Sequence, residues 1–193
     1  MIKLGITGGI GSGKSIVSEI FKLLDIPVYI ADIESKKLTA TSSIIKEKLI
    51  EEFGKELYDG DTLNKPLFAS YIFNDKIKLE KANKIIHPEV DKHFLNWIKS
   101  YDDYPLIAAE AAILFESGMN RFMDKTLMVY TPFEERINRV IRRDTSTREK
   151  VMERINSQMP DEKKAELADF IIYNDENNSL IKQSLNIISQ LIK

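Results

Sequence analysis

The sequence contains no cysteine. That excludes disulfides, thiolate nucleophiles and cysteine-ligated zinc together. Histidine is almost as scarce: His87 and His93 are the only two, too few for an imidazole-rich metal site. A predominance of one charge is lacking as well, since 28 Lys and Arg against 30 Asp and Glu leave a net charge of −2. No global field then draws the chain toward nucleic acid or an anionic membrane, and neither is an expected partner. The longest apolar stretch, Leu106 to Phe115, is interrupted by Glu110 and is too short to span a bilayer. Met1 leads straight into Ile2-Lys3-Leu4-Gly5-Ile6, without the charged and apolar regions of a signal peptide. These absences predict a cytoplasmic protein, and a monomer is expected. The sequence has no repeat, low-complexity tract or long linker.

What is present suits a soluble globular chain: 193 residues, 43% hydrophobic and 30% charged, enough for one compact domain with an elaboration. Short apolar runs predict five strands: Ile2–Ile6, Pro27–Ile30, Leu106–Ala109, Thr126–Tyr130 and Phe170–Tyr173. Helical periodicity lies between them. Ile16, Val17, Ile20, Phe21 and Leu24 share one face, and Ser179 to Ile192 forms a last helix with Leu180, Ile181, Leu185, Ile188 and Leu191 turned inward. Strands alternating with helices predict an α/β fold with a parallel five-stranded sheet. Residues 35–100 contain no convincing strand and read as a helical insertion, with helices near 42–53, 65–72, 76–85 and 88–99. Residues 131–168 read as a helical hairpin. Thr131-Pro132-Phe133-Glu134 supplies the cap, Ser146-Thr147-Arg148-Glu149 the start of the next helix, and Asp144-Thr145 the turn.

Gly8-Gly9-Ile10-Gly11-Ser12-Gly13-Lys14-Ser15 lies between the first strand and the first helix. This is the full phosphate-binding-loop pattern in its required setting. Glycines let successive backbone N–H groups converge on an anion, and the helix N-terminus adds partial positive charge. Lys14 is placed to reach the β- and γ-phosphates, the Ser15 hydroxyl to ligate Mg²⁺, and Ile16 to contribute only its amide. The core is then of the P-loop NTPase type. Ligands of such sheets sit beyond the strands' carboxyl ends, where Asp32 and Glu110 also fall.

Asp32 is a base toward an attacking hydroxyl, a carboxylate on Mg²⁺, or a helix N-cap; position alone leaves these open. Glu110 is a metal-side carboxylate or a plain strand-end charge. Arg136, Arg139, Arg142 and Arg143 cluster on the hairpin with Arg148 beyond it, and Arg139 and Arg143 share a face. Cations on a closing hairpin neutralise a migrating phosphoryl group; on its own the same cluster is a solvated face paired with Glu134, Glu135, Asp144 and Glu149. His87 by itself reads more readily as a structural hydrogen-bonding residue, and Trp97 as core.

Taken in order, these motifs resemble the dephospho-CoA kinase family from end to end. The resemblance is carried by Thr7-Gly8-Gly9-Ile10-Gly11-Ser12-Gly13-Lys14-Ser15, by Ala31-Asp32, His87-Pro88 and Ile113-Leu114-Phe115-Glu116. Arg143-Asp144, Thr147-Arg148-Glu149, Ala168-Asp169 and Asn174 complete it. It implies a nucleotide-binding core (1–34, 101–130, 169–193), a helical substrate domain (35–100) and a helical lid (131–168). It also implies transfer of the ATP γ-phosphoryl group to the ribose 3′-hydroxyl of dephospho-CoA, with Mg²⁺. The expected catalytic residues are Asp32, as base, with Lys14, Arg139 and Arg143. Gly9, Gly11, Ser12, Gly13, Lys14, Ser15, Ile16 and Asn174 are expected to hold the nucleotide, and Ser15 and Glu110 the metal. Asp32, His87, Glu116 and Arg148 are expected to meet the acceptor. Three positions depart from the family pattern: Ile16 in place of Thr, Ile30 in place of an acid, and Ala112 in place of Pro.

Overall fold

The computed structural model describes residues 1–73 and 75–192. Two compact units divide them: residues 1–30 with 101–192, and residues 31–73 with 75–100.

The first unit is built on β1 (Ile2–Thr7), β2 (Val28–Ile30), β5 (Leu106–Glu110), β6 (Lys125–Tyr130) and β7 (Phe170–Tyr173). They form one parallel sheet in the order β2-β5-β1-β6-β7. The five expected strands are all present, within a residue or so of their expected ends. β1 is central and buried from Leu4 to Thr7, and β5 is buried along its whole length, so Leu106–Ala109 reads as a continuous apolar run. Helices α1 (Lys14–Leu23) and α9 (Leu180–Leu191) bury Val17, Phe21 and Ile187 against Leu4, Ile6, Leu106, Leu127, Val129 and Ile172. The inward face of α9 matches the expected one in part. Leu180, Ile188 and Leu191 pack against this core as expected, while Ile181 and Leu185 are exposed and Ser184 and Ile187 are buried in their place.

Three helices, α6 (Phe133–Asp144), α7 (Arg148–Asn156) and α8 (Asp161–Leu167), fill the stretch between β6 and β7. Thr147 caps α7 through Lys150 N–H, and Thr145 ends α6 in the left-handed conformation. Thr131 does not cap α6. Pro132 holds the cap position, and the Thr131 hydroxyl instead donates to the backbone oxygens of Ser12 and Asn174 at 2.8 and 3.1 Å.

The second unit contains α2 (Ala31–Thr41), α3 (Ser43–Phe53), α4 (Lys65–Phe73) and α5 (Lys76–Ile98). It starts at Ala31 rather than 35, because α2 begins directly where β2 ends. Where two helices were expected over 76–85 and 88–99, one continuous α5 runs through Pro88. An interior proline costs about 3 kcal/mol. The buried row Ala82, Ile86, Val90 and Phe94, spaced every four residues, spans the proline and keeps both halves in one register. A small antiparallel hairpin, β3 (Tyr58–Asp59) with β4 (Thr62–Leu63), interrupts the expected all-helical stretch. Two-residue strands show no periodicity; the cue was the turn sequence Asp59-Gly60-Asp61. Among the described residues no helix is long and apolar enough to cross a membrane.

Candidate active site

The chain leaves β1 at Thr7, curls through residues 8–13 and enters α1 at Lys14. The Lys14 ammonium is buried and donates to the carbonyls of Gly8 at 2.9 Å and Gly9 at 3.4 Å. It therefore lies over the mouth of the loop, beside the positive end of α1. Ser15 and Ile16 are exposed in the first turn of that helix. Ser12 is buried and its hydroxyl has no protein partner. An unsatisfied buried hydroxyl is costly, and a loop that tolerates one suits a ligand rich in acceptor oxygens.

Tertiary contacts hold the loop from outside. The Asn174 amide, just past β7, donates to Ser12 O at 2.8 Å, and the Asn174 carbonyl accepts from Arg139 at 3.2 Å. Arg139 also donates to the Thr131 hydroxyl at 3.3 Å and pairs with Glu135 at 3.0 Å. Glu110, at the carboxyl end of β5, is buried and accepts a 2.6 Å bond from Ser18 of α1. Lys14, Ser15, Asn174, Arg139 and Glu110 are thus gathered around the loop and the helix it starts.

Other expected residues lie elsewhere or are engaged differently. Asp32 is exposed in the first turn of α2, within the helical unit; the helix starts at Ala31, so Asp32 is not its cap. His87 lies half-buried on α5, and Trp97 stacks on Phe94 in the same helix. Arg143 does not accompany Arg139 to the loop. It is exposed and paired with Asp144 at 2.7 Å. Arg148 makes a two-pronged pair with Glu134 at 2.7 and 2.8 Å, which holds the Glu134 carboxyl below its ordinary value. Glu116 accepts from the Met159 amide at 2.8 Å and pairs with the fully buried Lys164 at 3.0 Å; Lys164 also donates to Ala112 O at 2.7 Å.

Three groups at the loop had escaped sequence reasoning as contacts. Arg136, within the recognised cluster, is buried beneath it rather than solvated: Nε donates to Ile10 O at 2.9 Å and the guanidinium pairs with Asp161. Burial pulls its pKa below the ordinary value, though a guanidinium stays charged at any neutral pH. Gln158, at the end of α7, accepts from Ile10 N–H at 3.1 Å. The Ile10 side chain packs with Ile137, Val140 and Val151, so the small core of the helical hairpin includes a residue of the loop. The buried Arg136 had a partial cue in its spacing from Ile137 and Val140 on α6. No local pattern announces Gln158 or Asp161.

Comparison with known proteins agrees with this geometry. The family model described as dephospho-CoA kinase matches residues 2–179. A Bacteroides fragilis protein named dephospho-CoA kinase is 47% identical over 190 residues, covering 98% of this chain and 93% of its own length. Among solved structures, one from Thermus thermophilus superposes with a TM-score of 0.86 at 31% identity, covering 100% of this chain and 98% of that one. A dephospho-CoA kinase from Campylobacter jejuni matches with a TM-score of 0.72 at 25% identity, covering 98% of this chain and 96% of that one.

Proposed function

The chain belongs to the dephospho-CoA kinase family, and from that premise we propose how its residues divide the reaction. The enzyme transfers the γ-phosphoryl group of ATP to the ribose 3′-hydroxyl of dephospho-CoA, giving coenzyme A and ADP.

The observation that carries the residue-level reading is the buried Lys14 ammonium over the loop mouth, at the N-terminus of α1. With ATP bound, that ammonium exchanges the Gly8 and Gly9 carbonyls for phosphate oxygens, and the loop amides hold the triphosphate. Arg139, beside Asn174 and Thr131, neutralises charge on the transferring group. Arg143 and Arg148 join it by releasing Asp144 and Glu134 as the 131–168 region acts as a lid. Asp32 follows the last residue of β2 by two positions and serves as the base that aligns or accepts the hydroxyl proton. With Ile30 in the place of a second acid, that work falls on Asp32. The helical unit, through residues such as His87, and Glu116 of the core contact the acceptor.

Ser15 and Glu110 offer a hydroxyl and a carboxylate, an all-oxygen set that fits Mg²⁺. Among the described residues no three His, Asp or Glu cluster into a self-contained metal site. A partial protein shell is what Mg²⁺ uses when phosphate oxygens and water complete it. When bound, Mg²⁺ held by Ser15 and Glu110 would supply charge neutralisation to the triphosphate. The reading includes a cytoplasmic monomer acting on two small molecules; the near-neutral net charge supports the expectation of no nucleic acid or membrane partner, and the absence of cysteine suits a reducing compartment.

The test is Asp32→Ala, assayed by ADP release dependent on dephospho-CoA. Loss of a general base lowers kcat by about 10²–10⁴-fold, while ATP affinity stays close to that of the parent protein. Near-normal turnover would remove Asp32 from the mechanism.

A further inference from the structure

Ile10, at the crown of the phosphate loop, is gripped at every handle it has. Its N–H is taken by Gln158 Oε1 at 3.1 Å and its carbonyl by Arg136 Nε at 2.9 Å. Its side chain lies in the apolar core of α6 and α7. Arg136 is itself fixed. It is 3% exposed, paired with Asp161 at the start of α8, and lies so close over Gly9 that a Cβ there would overlap the guanidinium. Surface arginines stabilising a helix do not need this enclosure; a buried guanidinium demands full pairing, and its two partners here are a loop carbonyl and a partly buried carboxylate.

The direction of the Ile10 carbonyl has a consequence one atom further along. Across a trans peptide the C=O and the next N–H point in opposite directions. Anchoring Ile10 O on Arg136, on the α6 side of the loop, turns the Gly11 N–H to the other side. Without the anchor, rotation of this peptide plane would present a carbonyl dipole where an amide is required, and the triphosphate would be repelled at that point.

We propose that Arg136, held by Asp161, is a positioning residue that sets the Ile10–Gly11 peptide so that the loop is pre-formed for ATP phosphates. This makes ATP affinity depend on a contact between α6 and α8 that touches no substrate. The proposal rests on the identification of Gly8 to Ser15 as the phosphate loop.

Two variants separate positioning from structural support. Arg136→Lys retains a cation for Asp161 but lacks the planar fork that also reaches Ile10 O. The double variant Arg136→Met with Asp161→Leu removes both charges together, which folded proteins tolerate far better than loss of one partner. Each is measured for thermal unfolding, for Mg-ATP binding by calorimetry, and for KM and kcat with both substrates. In both variants the ATP Kd and KM rise about tenfold or more, the usual consequence of losing a charge-assisted hydrogen bond. The KM for dephospho-CoA stays within about twofold in either variant, and the double variant unfolds within a few degrees of the parent. Parent-like ATP affinity in either folded variant overturns the proposal, as does an equal rise in both KM values. If the parent protein binds no Mg-ATP, the phosphate-loop identification fails and this inference with it.

Discussion

Gly11→Ala is expected to destabilise the protein in the absence of any nucleotide. Gly11 has φ of 80°, and a Cβ built there would lie 2.6 Å from the Arg136 carbonyl oxygen and 2.8 Å from Val140 Cγ2. The left-handed conformation costs an L-residue about 1–2 kcal/mol. The Val140 methyl can rotate away, but the carbonyl belongs to the backbone of α6, so the loop or the helix must shift, at about 1–3 kcal/mol. Alanine also stiffens the unfolded chain, which offsets about 0.4–1 kcal/mol. The net loss is about 1–4.6 kcal/mol, a sizeable share of the roughly 5–15 kcal/mol that holds a domain together. Urea unfolding of the nucleotide-free protein, followed by far-UV circular dichroism, measures it. Gly60→Ala is the control, since Gly60 also has positive φ (57°) but nothing within 4 Å of a built Cβ. If Gly11→Ala costs no more than Gly60→Ala, the close approach of α6 is not what requires a glycine there. The larger loss would show that this loop needs its glycine for packing as well as for phosphate.

Two further outcomes follow from the ion pairs around the loop. Lys164→Met strands Glu116 and takes the 2.7 Å donor from Ala112 O, which keeps a 3.5 Å bond from the Thr7 hydroxyl, at about 2–4 kcal/mol for a partly buried pair; Glu116→Gln, which keeps an acceptor for Met159 N–H, loses less in the same unfolding assay, and the reverse ranking would refute the assignment. Arg143 and Arg154 hold the Asp144 carboxyl well below the usual carboxylate range, joining the end of α6 to α7. A depressed carboxylate contributes stability that is complete above its unfolded pKa, near 4, and is lost as pH falls through the lower folded value. Hydrogen-exchange protection in α6 and α7 therefore declines below about pH 4, and Asp144→Asn lacks that acid-dependent decline; a parent-like acid profile in the variant would count against the pair.

Much of the fold was legible because its causes are local. Ile2-Lys3-Leu4-Gly5-Ile6 followed by glycines and then a periodic helix can hardly be anything but a strand, an anion loop and a helix. Misreadings occurred where a distant partner outweighed a local preference. Pro88 argued for a helix boundary, and the buried row from Ala82 to Phe94 overrode it. Thr131 looked like a cap, but its hydroxyl found two loop-side carbonyls instead. Arg139 and Arg143 share a helical face, yet they part ways because Asp144 and Glu135 sit at different ends of α6.

The sequence by itself determined that a phosphate loop follows the first strand, that the sheet is parallel, that a helical stretch separates two parts of the core, and which family the motifs resemble. Each of these depends on residues close together in the chain, where covalent spacing sets geometry. Only the tertiary structure decided the strand order β2-β5-β1-β6-β7, the bond from Ser18 to Glu110, and the grip of Arg136, Asp161 and Gln158 on Ile10. Those partners are far apart in the chain, and they meet because burying the apolar faces of α6 and α7 leaves polar groups that must pair with whatever the fold brings beside them.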